Sequence, residues 1–475
     1  MSYALTINGK AVQTSTTFDV INPATGEVAA ACPEGTVAEL NAAVAAAKSA
    51  FPAWSSRPDS NRREALGKIA DLIEAHREEL AALITAEQGK PQVGPGAPFE
   101  VSGCVAWTRV TQALDFEPQI LIDNDHERVE LIREPVGVVA SITPWNWPLM
   151  IAIWHIMPAL RVGCTVVIKP SPYTPLSTLR LVELINEAGI LPAGVLNAVT
   201  GDKEVGDRIS EHPDIDKIAF TGSTATGRRI MERAGPTLKR LTLELGGNDA
   251  GIILPGTDMS PRMEDLFWGS FINAGQTCSC LKRLYVHESD YESVCAALSG
   301  FVGGIKVGNG AEPDTLIGPL SNKMQFDKIV AMVEDARAKG ARILAGGEKP
   351  SGRGYNYPLT IIADATMDMR VVAEEQFGPV LPVIRYRDVE EAVAEANSLE
   401  LGLGASVWGD DPEEAAKVAR KLIAGTRWVN RHGVLNPTVP MGGVKQSGIG
   451  VEFGIEGLQE FTTVQVLSIA KRVAG

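Results

Sequence analysis

The chain has 475 residues, more than one hydrophobic core normally includes, so its length predicts two or three domains. A hydrophobic fraction of 45% and a charged fraction of 21% are ordinary for a globular protein, while the net charge of −14 argues against a nucleic-acid or anionic-membrane surface. Six scattered cysteines indicate a reducing compartment rather than a disulfide framework, and with no CxxC or HExxH pattern a metal site is not expected.

The N-terminus and the apolar runs bear on location. The first ten residues lack a basic stretch followed by an apolar one, so no signal peptide is expected. The most apolar run, 147–160, is shorter than the roughly 20 residues that span a bilayer, and it contains two prolines and a histidine. We therefore expect a cytoplasmic protein without a membrane partner.

Helical and strand patterns alternate along most of the chain. In chain order they predict helices 37–51 and 60–88, strand 165–169, helix 175–188, strand 218–221, helix 227–234, strand 283–286, helix 327–339, strand 380–385, helix 388–397, strand 405–407 and helix 411–423. A turn signal follows each of the first two predicted strands: a proline after strand 165–169, and Thr-Gly-Ser at the end of strand 218–221. This alternation predicts a parallel α/β sheet, with a second alternating block after Gly247.

Two β-rich segments stand apart from this alternation. Residues 119–133 carry apolar positions on both sides of the polar stretch 123–128, which predicts a hairpin arm, and residues 462–469 form a second such stretch. Neither has a local partner, so we expect both to pair across a subunit interface. The alternative is that both are edge strands of their own domain.

A cysteine and a glutamate carry the chemistry that the sequence suggests. Cys278 follows Gly275-Gln-Thr277, which suggests a bend that presents its side chain, and Glu244 lies in an apolar run that ends in two glycines. A thiol converts an aldehyde into a hemithioacetal, and a carboxylate activates water to release the resulting thioester. The pair predicts aldehyde oxidation through a covalent thioester. The plainer alternatives are an inert buried thiol and a surface glutamate.

Seven motifs stand in one order along the chain. They are Pro144-Trp-Asn-Trp-Pro148, Ile168-Lys-Pro-Ser171, Phe220-Thr-Gly-Ser-Thr224, Leu243-Glu-Leu-Gly-Gly247, Gly275-Gln-Thr-Cys278, Glu374-Glu-Gln-Phe-Gly-Pro379 and Pro440-Met-Gly-Gly443. With them the chain resembles the NAD(P)-dependent aldehyde dehydrogenase superfamily from its first strand to its tail. One motif can arise by chance, whereas seven in the family's order are specific.

The resemblance implies an aldehyde dehydrogenase-like α/β fold, with two Rossmann-type α/β domains and a β-hairpin oligomerisation arm. Residues 1–118 and 134–246 would form the NAD(P)-binding domain, and residues 247–446 the catalytic domain that carries the nucleophile. Residues 119–133 and 447–475 would form the arm and the C-terminal tail. The resemblance also implies a small-molecule aldehyde as substrate and a homodimer or homotetramer as assembly.

The resemblance assigns three catalytic roles that the chemistry supports. Cys278 would be the nucleophile, and helix-end amides together with the nicotinamide cation would assist its ionisation. Asn146 would hold the negative oxygen formed on attack, together with the backbone N–H of Cys278. Glu244 would take a proton from water, a task that suits a partly desolvated carboxylate with a raised pKa.

The resemblance also implies how NAD or NADP would be held. Phe220-Thr-Gly-Ser223 is not the GxGxxG fingerprint, but glycine permits close backbone approach and the helix after it offers free N–H groups to a pyrophosphate. Lys169 would reach the adenosine ribose, while a second group of residues would hold the nicotinamide end. The implied cofactor-binding residues are Trp145, Lys169, Gly222, Ser223, Gly246, Glu375 and Phe377.

Three residues depart from the family's pattern. Pro172 stands where many NAD-preferring relatives carry a glutamate, so we expect use of both NAD and NADP. His155 stands where the family commonly has lysine; it would make water activation more sensitive to pH, unless it is simply packed on its helix. Cys280 replaces the usual alanine, either as a filler or as a partner for an oxidised Cys278.

The residues that match the family's substrate tunnel are Trp147, Trp154, Thr277, Leu435 and Met441. Their aromatic and thioether surfaces favour an apolar or aromatic aldehyde over a small charged one. Trp154 stands where relatives that oxidise succinate semialdehyde place an arginine, although Arg431 is a nearby substitute. Three rival functions remain. Glu244 disfavours a CoA-acylating dehydrogenase, and the intact catalytic residues disfavour a nucleotide-binding protein without turnover. A thiol hydrolase has no His/Asn pairing in the sequence to support it.

Overall fold

The computed structural model describes residues 3–116 and 118–471. The strands in chain order are β1 Leu5–Ile7, β2 Lys10–Val12, β3 Thr17–Asn22, β4 Glu27–Pro33, β5 Gln119–Asp123, β6 Glu127–Pro135, β7 Val138–Ile142, β8 Thr165–Lys169, β9 Leu196–Ala198, β10 Lys217–Thr221, β11 Arg240–Glu244, β12 Asp249–Ile253, β13 Leu281–His287, β14 Arg342–Ala345, β15 Thr360–Ala363, β16 Val380–Tyr386, β17 Leu401–Gly402, β18 Gly404–Trp408, β19 Thr426–Val429, β20 Val444–Lys445, β21 Gly448–Ile449 and β22 Thr462–Ala470.

The α-helices are α1 Val37–Ser55, α2 Asp59–Ala75, α3 Arg77–Gln88, α4 Ala97–Ala113, α5 Pro148–Val162, α6 Leu176–Glu187, α7 Lys203–Glu211, α8 Thr224–Ala234, α9 Met263–Phe271, α10 Tyr291–Gly303, α11 Lys323–Ala338, α12 Arg370–Ala373, α13 Val389–Ala396, α14 Pro412–Ala419 and α15 Gly454–Gln459. The helix predicted over 60–88 is two helices, α2 and α3, that meet at His76. Within the described ranges, no helix is both long and apolar enough to cross a membrane.

An eight-stranded sheet organises the first half of the chain, in the order β2-β1-β9-β8-β7-β10-β11-β21. Its five central strands, β9 to β11 in that order, run parallel, and every residue of β8 and β10 is buried. Parallel strands buried on both faces are apolar and β-branched because helices cover them. The carboxyl ends of β7, β8, β10 and β11 therefore meet at one edge, where ligands bind in open α/β sheets.

A second sheet of seven strands has the order β14-β15-β16-β13-β12-β18-β19 and is parallel except at β14. Its inner strand β12 is separated from the end of β11 by only four residues, Leu245 to Asn248. The segment that carries Cys278 leads directly into β13, the neighbour of β12. This connectivity brings the end of the first sheet against the start of the second.

The hairpin arm and the tail form one three-stranded sheet in the order β22-β6-β5. β22 pairs antiparallel with β6 of the same chain, from Thr462 opposite Pro135 to Ala470 opposite Glu127. The sequence did not predict this pairing between the tail and the arm of the same chain, and their pairing across a subunit interface stays a prediction. The partner lies more than 300 residues earlier in sequence, beyond the reach of any local pattern. Among the described strands, the outer edges of β5 and β22 remain unpaired.

The main core lies between the first sheet and a layer of helices. Helix α5 runs through it, and every residue of α5 except Pro158 is buried. Such a helix is apolar on all sides because it contacts protein on all sides. Pro148 opens it without loss of a hydrogen bond, and Gly163 ends it with φ of 105°. The fixed start of α5 holds the preceding segment, 143–147, at the carboxyl edge of the sheet.

Candidate active site

The carboxyl edge of the first sheet collects several of the residues singled out in the sequence. Lys169 ends β8, and Asn146 lies on the segment after β7, whose Thr143 donates from its N–H to the carbonyl of Lys169 at 3.2 Å. Thr221 ends β10 directly opposite Glu244, the last residue of β11. The N–H of Gly222 donates to the carbonyl of Glu244 at 2.9 Å. Parallel pairing thus brings the ends of β8, β10 and β11 and the loop after β7 to the same edge of the sheet.

Cys278 follows a turn in left-handed backbone. Asn273, Ala274 and Gly275 have φ values of 53°, 55° and 69°, a conformation that is costly for residues other than glycine. Hydrogen bonds within the turn compensate, since the N–H of Gln276 donates to the Asn273 carbonyl at 3.0 Å. Lys282 also donates to the carbonyl of Gly275. The bend that the glycine suggested is therefore present, and it begins two residues earlier.

Asn146 is tied to the turn that presents the thiol. Its side-chain nitrogen donates to the carbonyl of Gln276 at 3.0 Å, and Asn273 donates back to the carbonyl of Asn146 at 2.8 Å. A side-chain amide carries two hydrogens, and the bond to Gln276 uses one. Trp147, the next residue, donates from its indole to the Thr277 hydroxyl at 2.9 Å. Two sheets are thereby joined beside Cys278.

Glu244 is buried, with 5% of its surface exposed. Neither of its carboxylate oxygens has a hydrogen-bond partner within the described part of the chain. Burial raises its pKa well above the usual range, and the carboxylates of Glu452 and Glu460 raise it further. A carboxylate in these surroundings binds a proton more readily than one in water, as a general base requires.

Gly246 and Gly247 permit close contact among three groups. A Cβ at Gly247 would lie 2.4 Å from the carbonyl oxygen of Cys278, and one at Gly246 would lie 2.7 Å from the Glu375 carboxylate. Glu375 also accepts a hydrogen bond from the N–H of Gly247 at 3.0 Å. Burial raises the pKa of Glu375 to about 7. The two glycines after Glu244 thus allow the cysteine turn and a second carboxylate to approach the end of β11.

The residues implied for the cofactor lie around this edge. Ser223 caps α8, accepting from the N–H of Thr226 at 3.3 Å, so the N-terminal amides of that helix follow the turn at Gly222. The rings of Trp145 and Phe377 pack edge to face, with centroids 5.3 Å apart. Lys169 is almost wholly buried, and burial lowers its pKa to about 8. An aromatic wall, a buried cation and helix-end amides suit a dinucleotide.

The thiol is held in its neutral form in the free protein. Cys278 is half-buried, and burial raises its pKa well above the usual value, followed by the charges of Glu244, Asp249 and Glu375. Burial is the main cause of this rise and outweighs any help from helix-end amides in the protein alone. Ionisation of the thiol therefore requires a base or an added positive charge.

A cavity of about 530 Å³ opens onto Cys278. Its walls come from three helices, and on each the lining residues recur at the spacing of one helical face. They are Phe99, Ser102, Gly103, Ala106 and Trp107 on α4, Trp147, Met150, Ile151 and Trp154 on and before α5, and Asp265, Trp268, Gly269 and Ile272 on and after α9. Thr277 and Leu435 also line it. Four indole rings dominate its surface.

The sequence missed the two walls formed by α4 and α9. Phe99, Trp107 and Trp268 were not singled out. Met441 was expected in the lining and is absent from it. Its side chain is buried in the core and its backbone pairs with Glu452. That prediction was wrong.

Three ionisable residues contribute to the cavity lining, one buried histidine and two exposed residues of opposite charge. His432 Nδ1 lies 2.9 Å from the Ser406 hydroxyl, and its Nε2 lies 3.4 Å from the Asp249 carboxylate, so both nitrogens face the second sheet. Arg431 and Asp265 are exposed and carry opposite charges. The cavity therefore offers an apolar interior and no excess of either charge.

His155 lies under the end of β11. Its Nδ1 is 2.8 Å from the Ser141 hydroxyl, and its Nε2 is 3.1 Å from the Thr221 hydroxyl and 3.0 Å from Glu452. Thr221 is the neighbour of Glu244 in the sheet, and Glu452 raises the pKa of Glu244. His155 is thus a buried residue with polar partners on both nitrogens, and Thr221 and Glu452 stand between it and the candidate base.

A buried carboxylate, a cysteine on a strained turn and a parallel sheet with a nucleotide-suited edge together describe an oxidoreductase of the covalent, nucleotide-dependent class. Comparison with known proteins agrees. The model of the aldehyde dehydrogenase family matches residues 11–467. A phenylacetaldehyde dehydrogenase of Pseudomonas fluorescens is 42% identical over 472 residues, covering 96% of this chain and 93% of that protein.

Solved structures agree with the sequence comparison. An NAD+ complex of an aldehyde dehydrogenase from Bacillus cereus superposes with a TM-score of 0.95 at 40% identity, covering 99% of this chain and 97% of that one. A betaine aldehyde dehydrogenase from Staphylococcus aureus in complex with NAD+ gives 0.94 at 36% identity, covering 100% and 95%. The chain belongs to the aldehyde dehydrogenase family. It is an NAD(P)-dependent oxidoreductase of aldehydes with the predicted α/β fold.

Proposed function

We propose that the protein oxidises arylalkyl aldehydes, such as phenylacetaldehyde, to carboxylic acids through a thioester on Cys278. The observation that carries this proposal is the cavity lined by four tryptophans and a phenylalanine that ends at the sulfur. Aromatic rings gain about 0.5–1.5 kcal/mol from edge or stacked contacts beyond the burial of their area. The relative that acts on phenylacetaldehyde supports the same substrate class.

Acylation begins with attack of the Cys278 sulfur on the aldehyde carbon. The free amide hydrogen of Asn146 and the backbone N–H of Cys278 would bind the oxygen that becomes negative. The bond from Asn146 to the Gln276 carbonyl keeps its amide next to the thiol turn. When bound, the nicotinamide accepts the hydride that leaves the hemithioacetal, and its positive charge favours the thiolate.

Deacylation depends on Glu244. Its oxygens have no protein partner among the described residues and its pKa is raised, so it can take a proton from water that attacks the thioester. The acid product and a free thiol follow. Requirement for CoA is not expected, because the carboxylate supplies the base that water needs.

The cofactor would lie along the edge from Lys169 to Glu375. Gly222 and the start of α8 fit the pyrophosphate, Lys169 the adenosine ribose, and Glu375 with Gly246 the nicotinamide ribose. Pro172 provides no carboxylate that would repel a 2′-phosphate. We therefore include NADP beside NAD as a substrate for hydride transfer.

The three-stranded sheet of β5, β6 and β22 would join copies of the chain. The chain's exposed apolar side chains include four on its outer strands, Ile120, Leu121, Val464 and Val466. Open strand edges pair readily with other strands. Sedimentation at micromolar concentration should show a dimer or tetramer, and charged residues at 464 and 466 should reduce the assembly.

The test of substrate class is a kcat/KM series with purified protein. Phenylacetaldehyde, hexanal, acetaldehyde and succinate semialdehyde would each be measured with NAD and with NADP. We expect phenylacetaldehyde to exceed acetaldehyde by about a hundredfold, because even one methylene missing from a substrate in an apolar pocket costs about 1–3 kcal/mol. Trp268→Ala should reduce this ratio and leave acetaldehyde turnover within about twofold.

Two outcomes would contradict the proposed chemistry or substrate class, and a third would contradict the role of the cavity. A preference for succinate semialdehyde would show that Arg431 at the mouth of the cavity binds the distal carboxylate. A strict requirement for CoA in place of water would remove Glu244 from its assigned role. Equal rates for all four aldehydes would show that the aromatic cavity does not select its substrate.

A further inference from the structure

A fully buried ion pair lies beneath the candidate oxyanion site. Lys90 follows α3, Glu100 lies on α4, and their charged atoms are 2.7 Å apart with both side chains at 0% exposure. Such a pair seldom adds stability over well-packed apolar side chains of the same size, because both charges lose their water. Its presence in the core therefore calls for a role other than holding the fold together.

The pair contacts the segment that carries Asn146. The Lys90 ammonium donates to the backbone carbonyl of Asn146 at 2.5 Å and lies 3.9 Å from the centre of the Trp147 ring. The second oxygen of Glu100 accepts from the N–H groups of Leu149 and Met150, both at 3.0 Å. Lysine and glutamate together hold both sides of the turn that leads from Asn146 into helix α5.

The same carbonyl connects the pair to the nucleophile turn. Asn146 accepts from Asn273 as well as from Lys90, and its side chain donates to Gln276. Gln88, two residues before Lys90, donates to the side-chain oxygen of Asn273 at 3.0 Å. Asn146 is thus held from below by Lys90 and from the side by the turn before the thiol.

We propose that Lys90 is a positioning residue for aldehyde oxidation, which with Glu100 fixes the Asn146 amide where it binds the developing oxyanion. The inference depends on the proposed role of Asn146. Lys90 does not touch the substrate in this arrangement. It acts on the backbone of Asn146, because an ammonium with a carboxylate, a carbonyl and an aromatic face around it has a single low-energy position.

A double-mutant cycle tests the inference. Lys90→Met keeps the aliphatic stem and removes the donors, and Asn146→Ala removes the oxyanion donor. We expect Lys90→Met to lower kcat about tenfold or more, with the KM for aldehyde within about twofold. In the Asn146→Ala background the same change should cost less than about twofold, since the group that Lys90 positions is then gone.

Each outcome of the cycle has a meaning. Equal losses in both backgrounds would show that Lys90 acts only on the fold, and would overturn the inference. Full activity of Asn146→Ala would refute the assigned role of Asn146. It would also refute the positioning role of Lys90, which acts through Asn146. A normal loss in Asn146→Ala with full activity in Lys90→Met would leave the proposed function intact and reject the positioning role alone.

Two further variants separate positioning from folding. Lys90→Met with Glu100→Gln removes both charges and keeps the acceptor for α5, so it should fold even where the single variant does not. It should show the same loss of kcat. Lys239→Met is the matched control, because Lys239 is also buried and donates to the Ile215 carbonyl at 2.9 Å, outside the residues assigned to the site. Its Tm should fall while kcat stays within about twofold.

Discussion

Cys278 and Glu244 lie in opposite kinds of surroundings. The cysteine follows a turn held by Asn273, Gln276 and Lys282, whose hydrogen bonds fix the backbone in a left-handed conformation. The two oxygens of Glu244 make no hydrogen bond to any described residue. The backbone before Cys278 is fixed by hydrogen bonds, whereas no hydrogen bond holds the Glu244 carboxylate.

The contrast follows from the two tasks. The sulfur must lie at one point relative to the aldehyde and the oxyanion donors, and a misplacement of about 1 Å can cost a hundredfold. A general base must exchange its proton with solvent, so a side chain without fixed partners suits it. Burial raises the pKa of both groups, so desolvation favours the protonated form of each. Hydrogen bonds, in contrast, determine the position of the turn before Cys278.

Removal of the sulfur should have the largest effect. Cys278→Ala should lower kcat by about 10⁴-fold or more, because no other group in the site can form the thioester. Isothermal titration should show NAD binding within about threefold of the parent protein. Residual oxidation above about a hundredth of the parent rate would show that a different residue is the nucleophile.

Loss of the base should stop the second step and spare the first. Glu244→Gln keeps the shape of the side chain and should lower steady-state kcat by about 10²–10³-fold. Stopped-flow absorbance should still show a burst of reduced cofactor that approaches one equivalent per active site. If the burst disappears as well, Glu244 also takes the proton from the thiol, and the division between the two groups fails.

Lys169 extends the comparison to a buried cation. Its pKa is lowered by burial to about 8, so its ammonium form predominates below pH 8 and is lost above it. A 2′-phosphate is already a dianion at pH 7 and binds the ammonium form. The affinity for NADP relative to NAD should therefore fall about tenfold from pH 7 to pH 9, as measured by fluorescence titration.

The control for this pH dependence is a variant of Lys169 that does not titrate. Lys169→Met should abolish the change in relative affinity between pH 7 and pH 9 and weaken NADP more than NAD. A ratio that does not vary with pH in the parent protein would place the 2′-phosphate away from Lys169.

The smallest effect concerns stability. Because the pKa of Glu244 is raised on folding, protonation favours the folded state, and that advantage is lost as pH rises from its unfolded pKa to its folded one. Glutamine does not titrate, so Glu244→Gln should gain on the parent protein as pH rises from 5 to 8. We expect a relative gain in Tm of about 2 °C, visible by calorimetry. A gain that shrinks with pH would contradict the direction of the shift.

The sequence predicted the parts of the molecule that have local signatures. Strand 165–169 has the predicted bounds, and the helices over 37–51, 175–188 and 388–397 differ from α1, α6 and α13 by a few residues at their ends. The aldehyde dehydrogenase fold followed from seven motifs, each a turn or strand end whose chemistry constrains neighbouring residues. Such local structure is encoded by residues that are close together in the sequence.

Features that depend on distant residues were not predictable in this way. Lys90 meets Asn146 across 56 positions, and β22 meets β6 across more than 300, so neither pairing leaves a periodic pattern. Met441 matched a family motif, but it is not among the residues that line the cavity, and its backbone pairs with Glu452. The raised pKa of Cys278 was also missed, because its main cause is burial by residues that are distant in sequence.

Gly247 places an evolutionary limit on this site. Even a methyl group there would meet the Cys278 carbonyl at 2.4 Å and the Asp249 carboxylate at 2.8 Å. Only the hydrogen of glycine fits between the end of the first sheet and Cys278. Position 247 therefore cannot accept another residue while the enzyme remains active. Saturation mutagenesis of codon 247 should return glycine alone among the active clones.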